Sequence, residues 1–136
     1  MKRLVLLSAV LLAVAAPAAL GAQALDVSPA FLKFGKQPFG SFPMKSFAFT
    51  NTTSGSLVVS VEEVDVPDPF SPGLEGSTCG LGDTLLGPGE SCALVVGFIS
   101  NEAFPGRWAG SLRITARDEA GTVVFSRLVK MSGTAV

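Results

Sequence analysis

Residues 45–64 read KSFAFTNTTSGSLVVSVEEV, two alternating apolar runs on either side of a polar cluster. The apolar residues that share a face are Phe47, Phe49, Leu57, Val59 and Val61. Because side chains on a β-strand alternate between its two faces, this period of two predicts two half-buried strands. The cluster at 51–56, rich in Asn, Thr, Ser and Gly, predicts the turn of a β-hairpin between them.

Short strand-like runs separated by turn residues continue along the rest of the chain. Residues 25–34 start as a strand but contain Pro29, which predicts an edge strand or a strand split in two. The other segments are a loop at 35–43, a central strand buried on both faces at 93–99, an alternating strand at 108–116 and a last strand at 122–131. No segment sustains the apolar period of a helix. Several short strands in this length predict an antiparallel β-sandwich.

Residues 65–89 form the long irregular part, with four prolines and six glycines. The apolar residues expected to anchor it to the core are Phe70, Leu74, Leu81, Leu85 and Leu86. A loop this long is unusual in a compact domain without an internal tie. The two cysteines supply one, since Cys79 lies in the loop and Cys92 begins the next strand. They predict a disulfide, which the chain-entropy model values at about 3 kcal/mol for so short a loop.

The N-terminus has the three-part layout of a secretory signal. Two basic residues follow Met1, then an apolar run spans 4–16, and small residues occupy 18–24. The apolar run is shorter than the roughly 20 residues that a membrane-spanning helix needs. We therefore predict a signal peptide at 1–24 and a single domain at 25–136. Cleavage is expected after Ala24, with a cut after Ala22 as the alternative.

The net charge of the chain argues against nucleic acid or an anionic membrane as a partner. The whole chain has ten basic and eleven acidic residues. Removing Lys2 and Arg3 with the signal leaves eight basic residues against eleven acidic ones, a net charge of about −3. A chain of this charge is not expected to attract nucleic acid or an anionic membrane. No apolar run after the signal is long enough to be an integral membrane segment.

The composition also disfavours catalysis. The sequence has no histidine and no tyrosine, which excludes Ser-His-Asp and Cys-His catalysis and most transition-metal sites. Two acidic groups remain as acid–base candidates: Glu62, Glu63 and Asp65, and Asp118 with Glu119. We interpret the first as a solvated strand face and the second as a hairpin turn. No enzyme activity, cofactor or metal site is expected.

Several short motifs follow one another along the chain in a recognisable order. They are Phe34-Gly35 with Gln37-Pro38, Thr78-Cys79-Gly80, Pro88-Gly89-Glu90-Ser91-Cys92, Gly110-Ser111-Leu112-Arg113-Ile114 and Ser132-Gly133-Thr134-Ala135. Together they resemble the immunoglobulin-like domains of the abnormal-spindle and hydin group, in the bacterial version called choice-of-anchor D, and the two-cysteine segment and the Gly-Thr-Ala ending are the specific parts. The resemblance covers nearly all of residues 25–136. It implies an immunoglobulin-like sandwich of about seven strands, related to the pilus-chaperone fold.

The resemblance implies a module for binding or scaffolding in the cell envelope or outside the cell. The expected partner is another envelope or extracellular protein, bound by addition of a strand to a sheet edge. One alternative is a periplasmic chaperone-like protein for envelope subunits. Another is a surface adhesion or carbohydrate-binding module that uses Trp108. The expected location is the periplasm or the extracellular space.

Overall fold

A computed structural model describes residues 23–136, which form nine β-strands. The predicted signal peptide, apart from its last two residues, lies outside the described residues. The strands are β1 (Leu25–Ser28), β2 (Phe31–Gln37), β3 (Met44–Asn51), β4 (Leu57–Asp65), β5 (Phe70–Pro72), β6 (Gly82–Leu86), β7 (Ser91–Phe98), β8 (Gly106–Arg117) and β9 (Val123–Ala135). No part of the described chain forms a helix that could span a membrane.

The strands build two sheets that face each other. One sheet has four strands in the order β1-β3-β7-β5, and the other has five in the order β2-β9-β8-β4-β6. Neighbouring strands are antiparallel except β2 and β9, which are parallel. The prediction of an all-β sandwich is therefore confirmed, with nine strands rather than about seven because two short ones lie within residues 65–89.

The core lies between the sheets and consists of the alternating apolar residues. Phe47 and Phe49 of β3 are fully buried and stack on each other. Phe34, Phe70 and Phe98, from three different strands, form a second aromatic cluster with centroid separations of 5.2 to 6.2 Å. Five phenylalanines thus supply much of the volume of the core.

The predicted hairpin at 45–64 is wrong in its pairing, although both strands are present. β3 belongs to the four-stranded sheet, whereas β4 pairs with β6 and β8 in the other sheet. Residues 52–56 therefore cross from one sheet to the other. Alternation could not reveal this, because strands on opposite sheets bury the same kind of face against the same core.

Two predicted loops contain strand. β2 continues to Gln37, because Gly35, with a φ of 71°, accommodates a bulge in the pairing with β9. Residues 65–89 contain β5 and β6. Of the residues expected to anchor this segment, Phe70 and Leu86 are buried but Leu81 and Leu85 are exposed.

Candidate functional site

The first strand changes sheets and leaves part of the last strand without a neighbour. β1 pairs with β3, and after Pro29 the chain crosses to the other sheet, where β2 pairs with Lys130–Ala135 of β9. This confirms the prediction of a strand split at Pro29. Within the described residues, 123–129 of β9 pair only with β8. The other side of this stretch is an open edge, whose N–H and C=O groups can pair with another chain.

The open edge of β9 (residues 123–129) carries apolar side chains on both faces of the sheet. Val123 is 51% exposed and Val124 is 41% exposed. Phe125 points inward, is half-buried and packs against the core. Arg127 also points inward, since it alternates with the buried Val129. A strand added here would therefore cover Phe125 and place one of its own side chains near Arg127.

A shorter open edge lies on the other sheet at residues 44–47 of β3, because β1 covers only Ala48–Asn51. It carries Lys45 at an inward-facing position, in register with Val96. An inward-pointing lysine is a device by which proteins discourage pairing at an edge. The β9 edge is longer and more apolar, so it is the stronger candidate for strand addition.

The free side of β7 is covered by the segment at residues 73–79. The backbone N–H groups of Gly73 and Leu74 donate to the carbonyl of Val95, and those of Thr78 and Cys79 donate to that of Ala93. Two hydroxyls complete the cover, because Ala93 N–H donates to Thr78 Oγ1 and Val95 N–H donates to Ser77 Oγ, each at 2.8 Å. This edge is therefore not available to a partner.

The predicted disulfide is present, at the C-terminal end of the segment 73–79 that covers β7. Cys79 and Cys92 are bonded, with their Cα atoms 5.3 Å apart, and both are buried. The bond joins the last residue of segment 73–79 to the second residue of β7. It therefore holds the irregular segment against the strand that the segment covers.

Trp108, the candidate for carbohydrate contact, lies at one end of the sandwich. Its side chain is partly buried against the core and makes an edge-to-face contact with Phe104, at a centroid distance of 6.2 Å. Its indole N–H donates to the Phe104 carbonyl at 3.0 Å. The indole is therefore engaged in packing and in a hydrogen bond that fixes the turn at 101–104.

We expect Trp108→Phe to lower the free energy of unfolding by about 1 kcal/mol, because it removes the indole hydrogen bond and keeps most of the apolar contact. Urea unfolding of the two proteins measures this difference. Unchanged stability together with lost binding on a glycan array would instead favour the carbohydrate-binding alternative.

The acidic residues considered for acid–base chemistry do not converge. Glu62 lies on the outer face of its sheet in register with Arg113, while Asp65 follows a bulge further along β4. Asp118 is a turn residue, since its Oδ1 accepts hydrogen bonds from the N–H groups of Ala120 and Thr122. Glu63 and Glu119 are exposed. The two groups therefore occupy a strand face and a hairpin turn, as interpreted from the sequence.

The cleavage prediction falls at the border of the described residues. Ala22 lies outside them, whereas Ala24 is half-buried against the core. The Ala24 carbonyl accepts hydrogen bonds from Thr52 N and Thr52 Oγ1, both at 3.0 Å. A cut after Ala22 would keep these contacts and a cut after Ala24 would remove them. The site of the cut stays a prediction that the mass of the mature protein tests.

No protein-family model matches the sequence, and no curated protein matches it. Several solved structures are nevertheless similar to the described domain. The ASH/PapD-like domain 7 of human CEP192 is similar with a TM-score of 0.65 and 10% identity, over 84% of this chain and 86% of that one. WR4, a Caenorhabditis elegans MSP family member, gives a TM-score of 0.57 and 9% identity, over 85% of this chain and 100% of that one.

The periplasmic chaperone SfaE is also similar, with a TM-score of 0.59 and 10% identity, over 81% of this chain and 56% of that one. This chain thus spans about half the length of that chaperone. Identities this low establish the fold alone. The domain is an immunoglobulin-like β-sandwich of the type found in PapD-like and MSP domains.

Proposed function

We propose that this protein is an exported, non-catalytic immunoglobulin-like module that binds another protein of the cell envelope or of the extracellular space. Binding takes place by addition of a partner strand to the open edge of β9. The observation that carries the proposal is the length of this edge: β9 begins at Val123, and β2 covers it only from Lys130. Backbone hydrogen bonds would supply affinity there, and the pockets beside the strand would supply specificity.

The side chains at the edge indicate the chemistry of the partner strand. Its inward residues would lie over Phe125, which favours an apolar residue there. A neighbouring inward residue would lie near Arg127, which favours a carboxylate or another hydrogen-bond acceptor. The outward residues would lie near Leu128, which is 37% exposed. The proposed partner therefore offers an extended segment that is largely apolar and carries an acidic residue on its inward face.

Export to the periplasm or the extracellular space fits the sequence and the disulfide. A signal-like N-terminus and a disulfide are both typical of oxidising compartments. The motifs at Cys79, at Cys92 and at the C-terminus support placing the domain with the choice-of-anchor D group. No cofactor, nucleic acid or integral membrane segment enters this proposal.

A chaperone-like role for envelope subunits is the second candidate, and the likeness to a periplasmic chaperone favours it. Both candidates use a sheet edge. They differ in the state of the partner, because a chaperone holds a subunit that is not yet folded, whereas a module binds a folded protein that displays a strand. Protease sensitivity of the captured protein distinguishes them.

The test is a cross-linking capture from envelope extract with three versions of the oxidised protein. The edge variant Ser126→Lys/Leu128→Lys places two lysines beside the open edge. The matched control Ser132→Lys/Thr134→Lys places two lysines on the same face of the same strand, where β2 covers the edge. We expect the edge variant to lose the captured protein at least tenfold and the control to retain it, because edge lysines obstruct strand addition.

Hydrogen exchange on the captured complex locates the contact. The amides of residues 123–129 that face the open side should exchange rapidly in the free protein and become protected in the complex. Equal capture by the wild type and the edge variant, or protection that appears elsewhere in the complex, would refute strand addition at this edge.

A further inference from the structure

The basic residues of the domain are concentrated on three adjacent strands. β2, β8 and β9 contain all but one of the lysines and arginines that follow residue 24, the exception being Lys45 on β3. The seven are Lys33, Lys36, Arg107, Arg113, Arg117, Arg127 and Lys130. The same three strands contain no aspartate and no glutamate. Although residues 25–136 carry more acidic than basic residues, the part of the five-stranded sheet formed by β2, β8 and β9 is therefore basic.

Strand register brings six of these residues onto the outer face of the five-stranded sheet, with Arg117 at the far end of β8 and the other five nearer together. Lys36 is in register with Thr134, which is in register with Arg107. Outward residues in register on neighbouring strands form rows, and Lys36 and Arg107 share the first. Lys33 lies in the second row, Lys130 in the third and Arg113 in the fourth. We call these five residues, Lys33, Lys36, Arg107, Arg113 and Lys130, the basic face. With strands about 4.8 Å apart and a rise near 3.4 Å per residue, it measures roughly 20 Å by 10 Å.

Acidic residues border the basic face on the β4 side. On β4, Glu62 is in register with Arg113 and Asp65 is in register with Ser111, and Asp83 on β6 lies further out along the same sheet. The residues between the lysines are uncharged: Ser111, Ser132 and Thr134. The charge of Lys33, Lys36 and Lys130 is therefore not offset by a neighbouring carboxylate on these three strands.

Two exposed apolar side chains project from the same surface. Phe31 is 40% exposed and in register with Lys130, and Leu128 lies one row away on β9. The ammonium of Lys33 lies 5.3 Å from the centroid of the Phe31 ring. Such a surface suits a partner that is both apolar and anionic, because the aromatic and aliphatic side chains can contact its apolar groups while the lysines contact its anions.

We infer that the basic face docks the protein onto an anionic phospholipid bilayer. The net charge alone predicted no such attraction, but it does not show that the cations are concentrated on three adjacent strands. The β-sheet presents its cations in one surface, and a bilayer can contact all five at once. Each Lys or Arg held near an anionic membrane surface contributes about a fivefold gain in partitioning. Phe31 and Leu128 can enter the headgroup region, whereas a water-soluble polyanion offers them no apolar environment. The same sheet keeps its β9 edge at the side of the docked domain, so docking does not depend on the proposed partner strand.

The experiment is sedimentation of the purified, oxidised protein with vesicles. One set contains phosphatidylglycerol and phosphatidylcholine in equal parts, and the other contains phosphatidylcholine alone. We expect binding to the anionic vesicles only, and its loss in 0.5 M NaCl because salt screens surface charge. Lys33→Gln/Lys36→Gln/Lys130→Gln should weaken binding by about 100-fold, and Phe31→Ser should weaken it at unchanged net charge.

Two matched single variants distinguish binding through the basic face from an effect of net charge alone. Lys130→Gln should weaken vesicle binding about fivefold, while Lys45→Gln, the same change on the other sheet, should leave it unchanged. Circular dichroism of each variant shows that the fold is kept. Equal effects of the two single variants, or equal binding to neutral vesicles, would overturn the proposal. Binding to soluble dextran sulfate without binding to anionic vesicles would overturn it as well, in favour of a polyanion.

Discussion

Asn51→Asp is expected to lower the free energy of unfolding at pH 7 by several kcal/mol, the largest effect of any change proposed for this protein. Asn51 is fully buried at the end of β3. Its amide nitrogen donates to the carbonyls of Gly55, Leu86 and Gly87 at 2.8, 3.0 and 3.0 Å. A carboxylate at this position would face three carbonyl oxygens and find no donor among them.

The Asn51 side chain also accepts hydrogen bonds. Its Oδ1 accepts from the backbone N–H and the hydroxyl of Thr53 at 2.9 and 2.7 Å. The residue therefore ties the crossing at 52–56 to the loop that follows β6, and so connects the two sheets at this end of the sandwich. Asn51→Ala should lower the free energy of unfolding by about 3 kcal/mol, because several polar groups lose their partner together.

The aspartate variant should respond to pH in a defined direction. Burial and the three carbonyls favour the neutral acid, so the folded-state pKa of the new carboxyl would lie above its unfolded value of about 4. The unfolded chain then releases its proton first, and stability falls as pH rises from the unfolded pKa through the folded one. Asn51→Asp should be closer to the wild type at pH 4 than at pH 7.

Urea unfolding at both pH values measures these differences, with Asn101→Asp as the control. Asn101 is also a turn asparagine, but its side chain accepts a hydrogen bond from Ala103 N–H, which a carboxylate can do equally well. The control should change stability by less than about 1 kcal/mol. If the two aspartate variants were equally stable, the amide of Asn51 would not hold the crossing.

Cys79→Ser is expected to lower the free energy of unfolding by about 2–4 kcal/mol. The disulfide closes a loop across a sequence separation of 13 residues, so its loss gives the unfolded chain more freedom. It also frees the segment at 73–79, whose other ties are hydrogen bonds to Ala93 and Val95. We therefore expect local opening of this segment before global unfolding.

Two measurements separate these effects. Urea unfolding of the variant and of the oxidised wild type gives the change in stability. Limited proteolysis should cut within 73–81 in the variant and in the reduced wild type, and spare this segment in the oxidised protein. Cys79→Ala/Cys92→Ala is the control for the buried hydroxyl and should match Cys79→Ser within about 1 kcal/mol. Identical unfolding of variant and oxidised wild type would mean that the disulfide does not stabilise the domain.

The face that each strand buries could be read from the sequence alone. Phe47, Phe49, Leu57, Val59 and Val61 were predicted to line the buried faces of their strands, and all five are buried. The split at Pro29 and the disulfide were predictable as well. These features depend on local chemistry: the period of two along a strand, the missing N–H of proline and the presence of two cysteines.

The pairing of strands was decided only by the tertiary structure. Alternation along 45–64 is the same whether the two strands form a hairpin or lie on opposite sheets, so the crossing held by Asn51 could not be predicted. The open edge of β9 exists because β2 joins it only from Lys130 onward, a non-local register. The basic face has the same origin, since Lys33, Arg107 and Lys130 are distant in sequence and meet only when β2, β9 and β8 lie side by side. The order of residues along the chain specified the charges and the alternation within each strand; the order of the strands decided which residues act together.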